Sequence, residues 1–310
     1  MNKIAVLLST FNGEKYLEEQ LISLKNQTIP FDLYIRDDGS KDRTLEILTV
    51  WQGKINFKFI KGNNIGVSKS FFELLCLPEL KNEFIAFCDQ DDIWHPNKLE
   101  EGISKMVSIN IHSLPCLYHS NLNLIDDIGN SLNLNFWDSM NIIPELSHSL
   151  NRLVCQPIVT GCSSMINQSL RETYLYYPNP NNVKMHDWWL SLLACCFGKI
   201  ISDENIYINY RIHSNNVIGA ETNKIAKLTK AIMNLKIYCR NWKNENFSRI
   251  KQAEELFKAY NAKLKYSNHF ILKNFISLLE LSFFQRKIIQ YKFKFHQHGI
   301  LRNIIAFFLF

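Results

Sequence analysis

The stretch FIAFCDQDD, residues 84–92, decides how the chain folds: five apolar residues stop abruptly at three carboxylates and an amide. A continuous apolar run of this length, Phe84–Cys88, reads as a strand buried on both faces, the kind that fills a parallel sheet. Asp89-Gln90-Asp91-Asp92 then forms the turn at its carboxyl end. Working back towards Met1, the spacing predicts strands at Ile4–Leu8, Leu33–Arg36 and Ile55–Ile60. Helices are expected between them at Glu14–Gln27, Asp42–Trp51 and Ser68–Leu77, the first with Leu17, Leu21 and Leu24 on one face. Strand–helix alternation at this spacing builds right-handed βαβ units, hence an α/β fold with a mostly parallel central sheet.

A polar cluster follows every one of these strands. Thr10-Phe11-Asn12, Asp37-Asp38-Gly39-Ser40 and Asn63-Asn64-Ile65-Gly66 precede the acidic turn at 89–92. All four fall at carboxyl ends, the edge where open α/β sheets bind ligands. Any one of them is ordinary turn or cap chemistry, but four on one edge define a candidate site.

Downstream the pattern is less regular. Leu117–Ser120 reads as a short strand and the Asn-rich Asn121–Ile143 as loops. Val154–Met165 holds apolar segments broken by Pro157 and Gly161. Met185–Cys196 reads as a helix opening with His186-Asp187-Trp188-Trp189, and basic amphipathic helical patterns follow Gly219-Ala220. The 310 residues are 46% hydrophobic and 21% charged, which excludes a disordered chain, a coiled coil and a collagen-like repeat. The net charge of +6 is unevenly spread: residues 1–220 hold 18 Lys and Arg against 24 Asp and Glu (−6), residues 221–310 hold 17 against 5 (+12). A basic surplus confined to one terminal third speaks against nucleic acid as the partner and divides the chain near 220. The expected domains are a catalytic domain over 1–220 and a basic helical region over 221–310.

Eight cysteines show no CxxC spacing, and Met1-Asn2-Lys3 runs into Ile4–Leu8 without a secretory core, so free thiols in the cytoplasm are expected. Neither GxGxxG nor GxxxxGK[ST] occurs, which leaves Rossmann dinucleotide and Walker-type sites unsupported.

Carboxylates crowded on the turn after Cys88 cannot relieve their repulsion by spreading apart, and Mg²⁺ or Mn²⁺ resolves it. The alternative is an acidic cap for a helix at Pro96–Met106. Asp38 is placed to accept the imide N–H of uracil or thymine, or else it caps the following helix with Ser40. Phe11 either stacks on a base or joins the core, and Gly66 either admits a nucleotide or serves a tight turn. Asp187, held against indoles, is a candidate general base with a raised pKa, or the cap of its own helix. Trp188 and Trp189 belong to a donor or acceptor site or to the core. Arg211 and His213 could reach a diphosphate leaving group or its metal.

Taken together, LLSTFNGEKYLEEQLISLKNQT (7–28), RDDGSKDRT (36–44), NNIGVSKSF (63–71) and EFIAFCDQDDIWHPNKL (83–99) resemble a family 2 glycosyltransferase with the GT-A fold. CDQDDIWHPNKL, GCS (161–163), HDWW (186–189) and YRIHSNN (210–216) resemble its rhamnosyltransferase-like branch, and the likeness covers residues 1–220. The resemblance implies inverting transfer from a nucleoside-diphosphate sugar, assisted by Mg²⁺ or Mn²⁺. It further implies dTDP-L-rhamnose as the favoured donor, a UDP-sugar as the alternative, and a saccharide or lipid-linked saccharide acceptor in bacterial surface polysaccharide synthesis. Thr10, Phe11 and Asn12 match the first nucleotide-contacting loop and Asp38 the base-reading carboxylate. Asp89 and Asp91 match the ends of the DxD motif, with Asp91 the direct metal ligand. Asp187 matches the catalytic base, although the usual Glu-Asp pair reads His186-Asp187 here. His213 matches a position that helps hold metal or diphosphate, and Gly161 falls in the GCS motif beside the donor. Two other classes compete. A nucleotidyltransferase would need a Gly-rich, basic loop after the first strand, which is missing. A non-catalytic partner-binding protein would not need the DxD carboxylates or Asp187.

Residues 221–310 combine +12 of charge with apolar groups. Phe270, Ile271, Phe275, Ile276, Leu278 and Leu279 form one, and Ile300, Leu301, Ile304, Ile305 and Phe307–Phe310 another, with Lys287, Lys292, Lys294 and Arg302 beside them. No run reaches the ~20 apolar residues that span a bilayer. Peripheral binding to an anionic membrane at its inner face is therefore expected, the alternative being packing on the catalytic domain or on a second copy.

Overall fold

The computed structural model describes residues 3–109, 113–144, 148–213, 235–299 and 303. It divides into two compact units, one of 1–135, 159–179 and 185–213, the other of 136–158, 180–184 and 214–310. The boundary expected at 220 lies outside the described residues. The C-terminal unit also takes in two segments, 136–158 and 180–184, that the charge division assigned to the catalytic domain.

The first unit is built on a nine-stranded sheet. Its strands are β1 (Ile4–Thr10), β2 (Asp32–Asp37), β3 (Phe57–Lys61), β4 (Phe84–Cys88), β5 (Ile93–Trp94), β6 (Cys116–Ile125), β7 (Ser131–Asn135), β8 (Ser164–Asn167) and β9 (Lys199–Arg211). They run in the order β3-β2-β1-β4-β8-β6-β9-β5, with β7 pairing β6 off that path. The β3-β2-β1-β4 half is wholly parallel, as the βαβ pattern requires, whereas β8 is antiparallel to both β4 and β6. Ile4, Ala5, Val6, Leu7 and Leu8 are all fully buried, as a strand in the middle of a parallel sheet covered on both faces requires. At the sheet's edge β3 is less covered, with Phe57, Phe59 and Ile60 half-buried and Lys58 and Lys61 exposed.

Helices α1 (Leu17–Lys25), α2 (Thr44–Trp51), α3 (Val67–Leu75) and α4 (Lys98–Ser108) follow β1, β2, β3 and β5. In α1 the predicted stripe Leu17, Leu21 and Leu24 is fully buried. The chain runs outward from β1 through β2 to β3, then returns to place β4 on the other side of β1. That reversal makes a crevice between the carboxyl ends of β1 and β4, the usual ligand position in such sheets.

The stretch Asn121–Ile143 is not the set of loops expected from its composition. Asn121–Ile125 continues β6, Ser131–Asn135 is β7, and Phe136–Met140 is a short helix, α5. The asparagines are accommodated because their amides find partners: Asn123 Nδ2 donates to Asn209 Oδ1 at 2.8 Å, and Leu122 N donates to Asn121 Oδ1 at 2.9 Å. Pairing of β6 with β9 shifts register on both sides of Asn121, so an irregular ladder overrides weak strand propensity. Further on come α6 (Leu150–Leu153), a 3₁₀ turn at Gly161–Ser163, α7 (Gln168–Leu175) and α8 (His186–Phe197).

The second unit centres on α9 (Leu235–Tyr260), α10 (Tyr266–Ile276) and α11 (Phe283–Lys292). Ile250, Ala253, Leu256 and Tyr260 make the buried stripe of α9, and Leu272, Phe275 and Leu278 are buried with them. Glu255 accepts from Asn181 N and Asn182 Nδ2, which ties 180–184 to this helix. Among the described residues no helix is long and apolar enough to cross a membrane.

Candidate active site

The four strand-end clusters are fastened to one another. Asp37 is buried and accepts from Thr10 Oγ1 at 3.0 Å, Gly39 N at 3.1 Å and Ser40 N at 2.9 Å. Asn12 sits in the left-handed region at φ 47°. Its N–H donates to Ser40 Oγ and its Oδ1 accepts from Lys41 N, both at 2.9 Å, so its side chain is committed to the neighbouring loop. Gln90 pairs with the backbone of Phe11 in both directions: Phe11 N donates to Oε1 at 2.9 Å and Nε2 donates to Phe11 O at 3.0 Å. A Cβ at residue 13 would stand 2.3 Å from Gln90 Oε1, so Gly13 makes the room for this pairing.

Asp38 lies beneath the β3 loop. Its Oδ1 accepts from Arg36 Nη1 at 2.6 Å and Ile65 N at 2.9 Å, and its Oδ2 from Gly66 N at 2.8 Å. Two lone pairs on each oxygen leave Oδ2 one further acceptor position. Gly66 has φ 86°, a conformation natural to glycine, with nothing within 4 Å of where a Cβ would stand. Phe11, 42% exposed, presents its ring at the same edge.

At the acidic turn, burial and then the charges of Asp92, Asp91 and Asp187 push the Asp89 carboxyl well above the usual range. Burial and then Asp91 do the same to Asp92. Asp91 Oδ2 lies 2.8 Å from His213 Nε2. The imidazole stacks on Tyr16 with centroids 5.1 Å apart, and the Arg211 guanidinium lies 4.7 Å from that same ring. The Tyr16 hydroxyl bonds Asp127. Arg211 is buried and each of its nitrogens donates: Nε to Asp91 O at 3.0 Å, Nη1 to Asp127 O at 3.1 Å, and Nη2 to Glu19. These contacts lend no support to the expectation that it reaches a diphosphate. Arg211 braces the acidic turn from behind, because a buried guanidinium must be satisfied where it lies.

The residues present fit a divalent cation. Ligand atoms of Asp89, Asp92 and Cys162 lie within 4.8 Å of one another, Asp92 and Asp91 raise the pKa of Asp89, and Asp91 raises that of Asp92. Hard carboxylate oxygens with an imidazole nearby suit Mg²⁺ or Mn²⁺. The Cys162 thiol, pushed well above its ordinary pKa by burial and then by Asp92 and Asp89, stays protonated and is a poor ligand.

At the start of α8, Asp187 is buried, and Trp188 N donates to its Oδ1 at 2.6 Å. Burial pushes its carboxyl up to about 7, opposed by backbone N–H groups of Trp188 and Gly161. A Cβ on Gly161 would stand 2.9 Å from His186 Nε2 and 3.5 Å from Asp187 Oδ2, so the GCS turn packs directly on this pair. His186 packs against the rings of Phe71 (4.2 Å) and Phe87 (5.2 Å), which also touch each other, and burial lowers its pKa to about 3, keeping the imidazole neutral. Trp188 and Trp189 are buried in the core, which corrects their assignment to a donor or acceptor wall: consecutive helical positions beneath the sheet are filled by large apolar groups.

The expected residues Thr10, Phe11, Asn12, Asp38, Gly66, Asp89, Asp91, Gly161, His186, Asp187 and His213 thus all lie in the first unit at its strand ends or packed on them. Sequence reasoning missed Gln90, Gly13, Tyr16, Glu19, Asp127 and Cys162 as parts of this frame. Gln90 carried a signal, as an amide between two carboxylates, but Tyr16 and Asp127 meet across 111 residues and neither belongs to a polar cluster.

A parallel half-sheet with nucleotide-type loops, an acidic turn and a buried carboxylate facing it defines a nucleotide-sugar transferase of the GT-A fold. The chain belongs to glycosyl transferase family 2, whose model matches residues 5–175. It is 28% identical over 241 residues to the dTDP-rhamnosyl transferase RfbG of Shigella flexneri, covering 71% of this chain and 76% of that one. It spans only 34% of the length of two other curated relatives that it matches. The crystal structure of Staphylococcus aureus TarS 1–349 in complex with UDP-GlcNAc superposes with a TM-score of 0.56 at 16% identity, over 98% of this chain and 89% of that one. The mannosyltransferase PcManGT of Pyrobaculum calidifontis, in complex with GDP-Man and Mn²⁺, gives 0.50 at 12% identity, over 99% and 87%.

Proposed function

We propose that this protein is an inverting, metal-dependent hexosyltransferase that moves a sugar from a pyrimidine nucleoside-diphosphate donor to a saccharide or lipid-linked saccharide. The observation that carries the reading is Asp187: a buried carboxylate with its pKa pushed to about 7, within electrostatic reach of the acidic turn. A base poised there both ionises at neutral pH and holds the proton it takes. The N–H of Trp188 fixes its orientation. As the acceptor oxygen attacks the anomeric carbon from the face opposite the diphosphate, its proton passes to the Asp187 carboxylate. One carboxylate suffices, and no covalent glycosyl-enzyme forms. The remaining acceptor position on Asp38 Oδ2 takes the imide N–H of the base, Phe11 supplies a stacking surface, and the open side of Gly66 admits the nucleotide. Asp89 and Asp91, with Asp92 beside Asp89 and His213 on Asp91, would hold Mg²⁺ or Mn²⁺, which when bound neutralises charge on the departing diphosphate. The likeness to RfbG favours dTDP-L-rhamnose, while the TarS complex keeps UDP-sugars in view.

The test is release of nucleoside diphosphate from a panel of nucleotide-sugars, with and without saccharide acceptors. Release from dTDP-rhamnose above all others is the expected result. Release of pyrophosphate from a nucleoside triphosphate and a sugar phosphate would replace this reading with a nucleotidyltransferase.

A further inference from the structure

The described part of the C-terminal unit leaves large apolar side chains uncovered on α11. Phe284, Ile288 and Tyr291 are 77%, 64% and 82% exposed. Their spacing of i, i+4, i+7 puts them in one stripe on one face of the helix. By the same 3.6-residue period Lys287 falls on one flank of the stripe and Lys292 on the other. Phe283 adjoins it, its ring edge-on to Phe284 and beneath the Lys287 ammonium at 5.1 Å. Tyr266, 83% exposed, and Phe270 stack at the start of α10 in the same unit. Around these groups the charge has one sign: residues 256–299 contain eight Lys and Arg against the single acid Glu280, a net +7.

A stripe of aromatic and aliphatic groups with cations on both flanks is matched by a surface that is apolar beneath and anionic on top. A protein partner would need a complementary groove lined with acids, and a second copy of this chain would bring the same positive charge against itself. We propose that α11 is an interfacial helix that seats Phe284, Ile288 and Tyr291 in the headgroup boundary of an anionic phospholipid bilayer. Lys287 and Lys292 meet the lipid phosphates on either side of it. The protein is then peripheral to the membrane, and a lipid-linked acceptor reaches it by diffusion in two dimensions.

Sedimentation of the full chain with vesicles tests this. The protein should pellet with 1:3 phosphatidylglycerol:phosphatidylcholine vesicles, progressively less as salt rises, and weakly with phosphatidylcholine alone. Two variants probe the two parts of the face: Phe284→Ser with Ile288→Ser and Tyr291→Ser, and Lys287→Glu with Lys292→Glu. Each should weaken binding by about tenfold or more, since each cation near such a surface matters at that scale. Both variants should keep the native melting temperature and the rate of donor hydrolysis, so loss of vesicle binding is separable from failure of the transferase reading. Equal pelleting with neutral and anionic vesicles, or unchanged pelleting of the triple variant, would overturn the proposal. So would a light-scattering mass of two chains that falls to one in the triple variant without any vesicle binding, because a second copy would then be what covers the stripe.

Discussion

Asp187 and His186 are neighbours whose burial drives their protonation in opposite directions. Both are neutral at acidic pH, when Asp187 holds its proton and His186 has none to release. With Asp187 as the proposed base, turnover should rise with pH along a limb centred near 7 as its carboxyl ionises. Asp187→Asn should keep donor binding and lower turnover by ~10²-fold or more, which single-turnover rates would read. Stability carries the same signature. Between 3.8 and about 7 the folded protein keeps a proton on Asp187 that the unfolded chain has released, so this group's contribution to stability falls as pH rises through that window. Melting temperature against pH should therefore fall more steeply in the native protein than in Asp187→Asn. His186 works the other way, adding stability above 6.5 that is lost as pH falls towards about 3. Tyr16 is the other residue whose role is set by its neighbours, because it stacks on His213, which faces Asp91. Tyr16→Ala should weaken Mn²⁺ binding by roughly 10- to 100-fold, as loss of a supporting shell does, whereas Tyr16→Phe should retain most of it. Titration calorimetry with Mn²⁺ distinguishes the two.

At the scale of elements, the site depends on how strand ends are tied together. Gln90 clasps the β1 end from the β4 end, and Gly13 leaves the space for it. Gly13→Ala should cost about 1–3 kcal/mol in denaturant unfolding, the usual penalty of overpacking, and should raise the donor KM by displacing Phe11. Arg36 and Asp38 form a buried ion pair that also holds the β3 loop through Ile65 and Gly66. Removing Asp38 leaves Arg36 its second carboxylate, Glu73, but orphans the N–H groups of Ile65 and Gly66, so Asp38→Ala should destabilise by about 1–3 kcal/mol. Asp38→Asn, which keeps an acceptor oxygen, should lose less. The strands and helices up to Cys88 were readable from local sequence because the central strands are continuous apolar runs and helices such as α1 bury a regular stripe. The extension of β6 through Asn121–Ile125 was not, since its asparagines are satisfied by residues far along the chain, Asn209 among them.

At the scale of the whole molecule, ligand binding to the native state alone raises its apparent stability. Thymidine or uridine diphosphate should raise the melting temperature by several degrees in Mn²⁺ and by much less in excess chelator. Stronger protection by a purine diphosphate would contradict the pyrimidine reading. Chelator should also abolish nucleoside-diphosphate release, with Mg²⁺ or Mn²⁺ restoring it.

The sequence by itself determined the α/β frame, the edge that carries the site and the acidic turn. Each of these follows from local periodicity and from polar clusters adjacent to strands, and both are written in consecutive residues. Only the tertiary structure decided what those polar residues do. Asn12 and Gln90 turned out to fasten loops, Arg211 to brace the acidic turn against Asp127 and Glu19, and Trp188 and Trp189 to fill the core. It also decided that Asp187 and His186 lie against the Gly161 turn, buried deeply enough for both to be neutral in mildly acidic solution. A side chain's burial and its partners depend on which distant segments fold onto it, and no spacing rule within the chain encodes that distance.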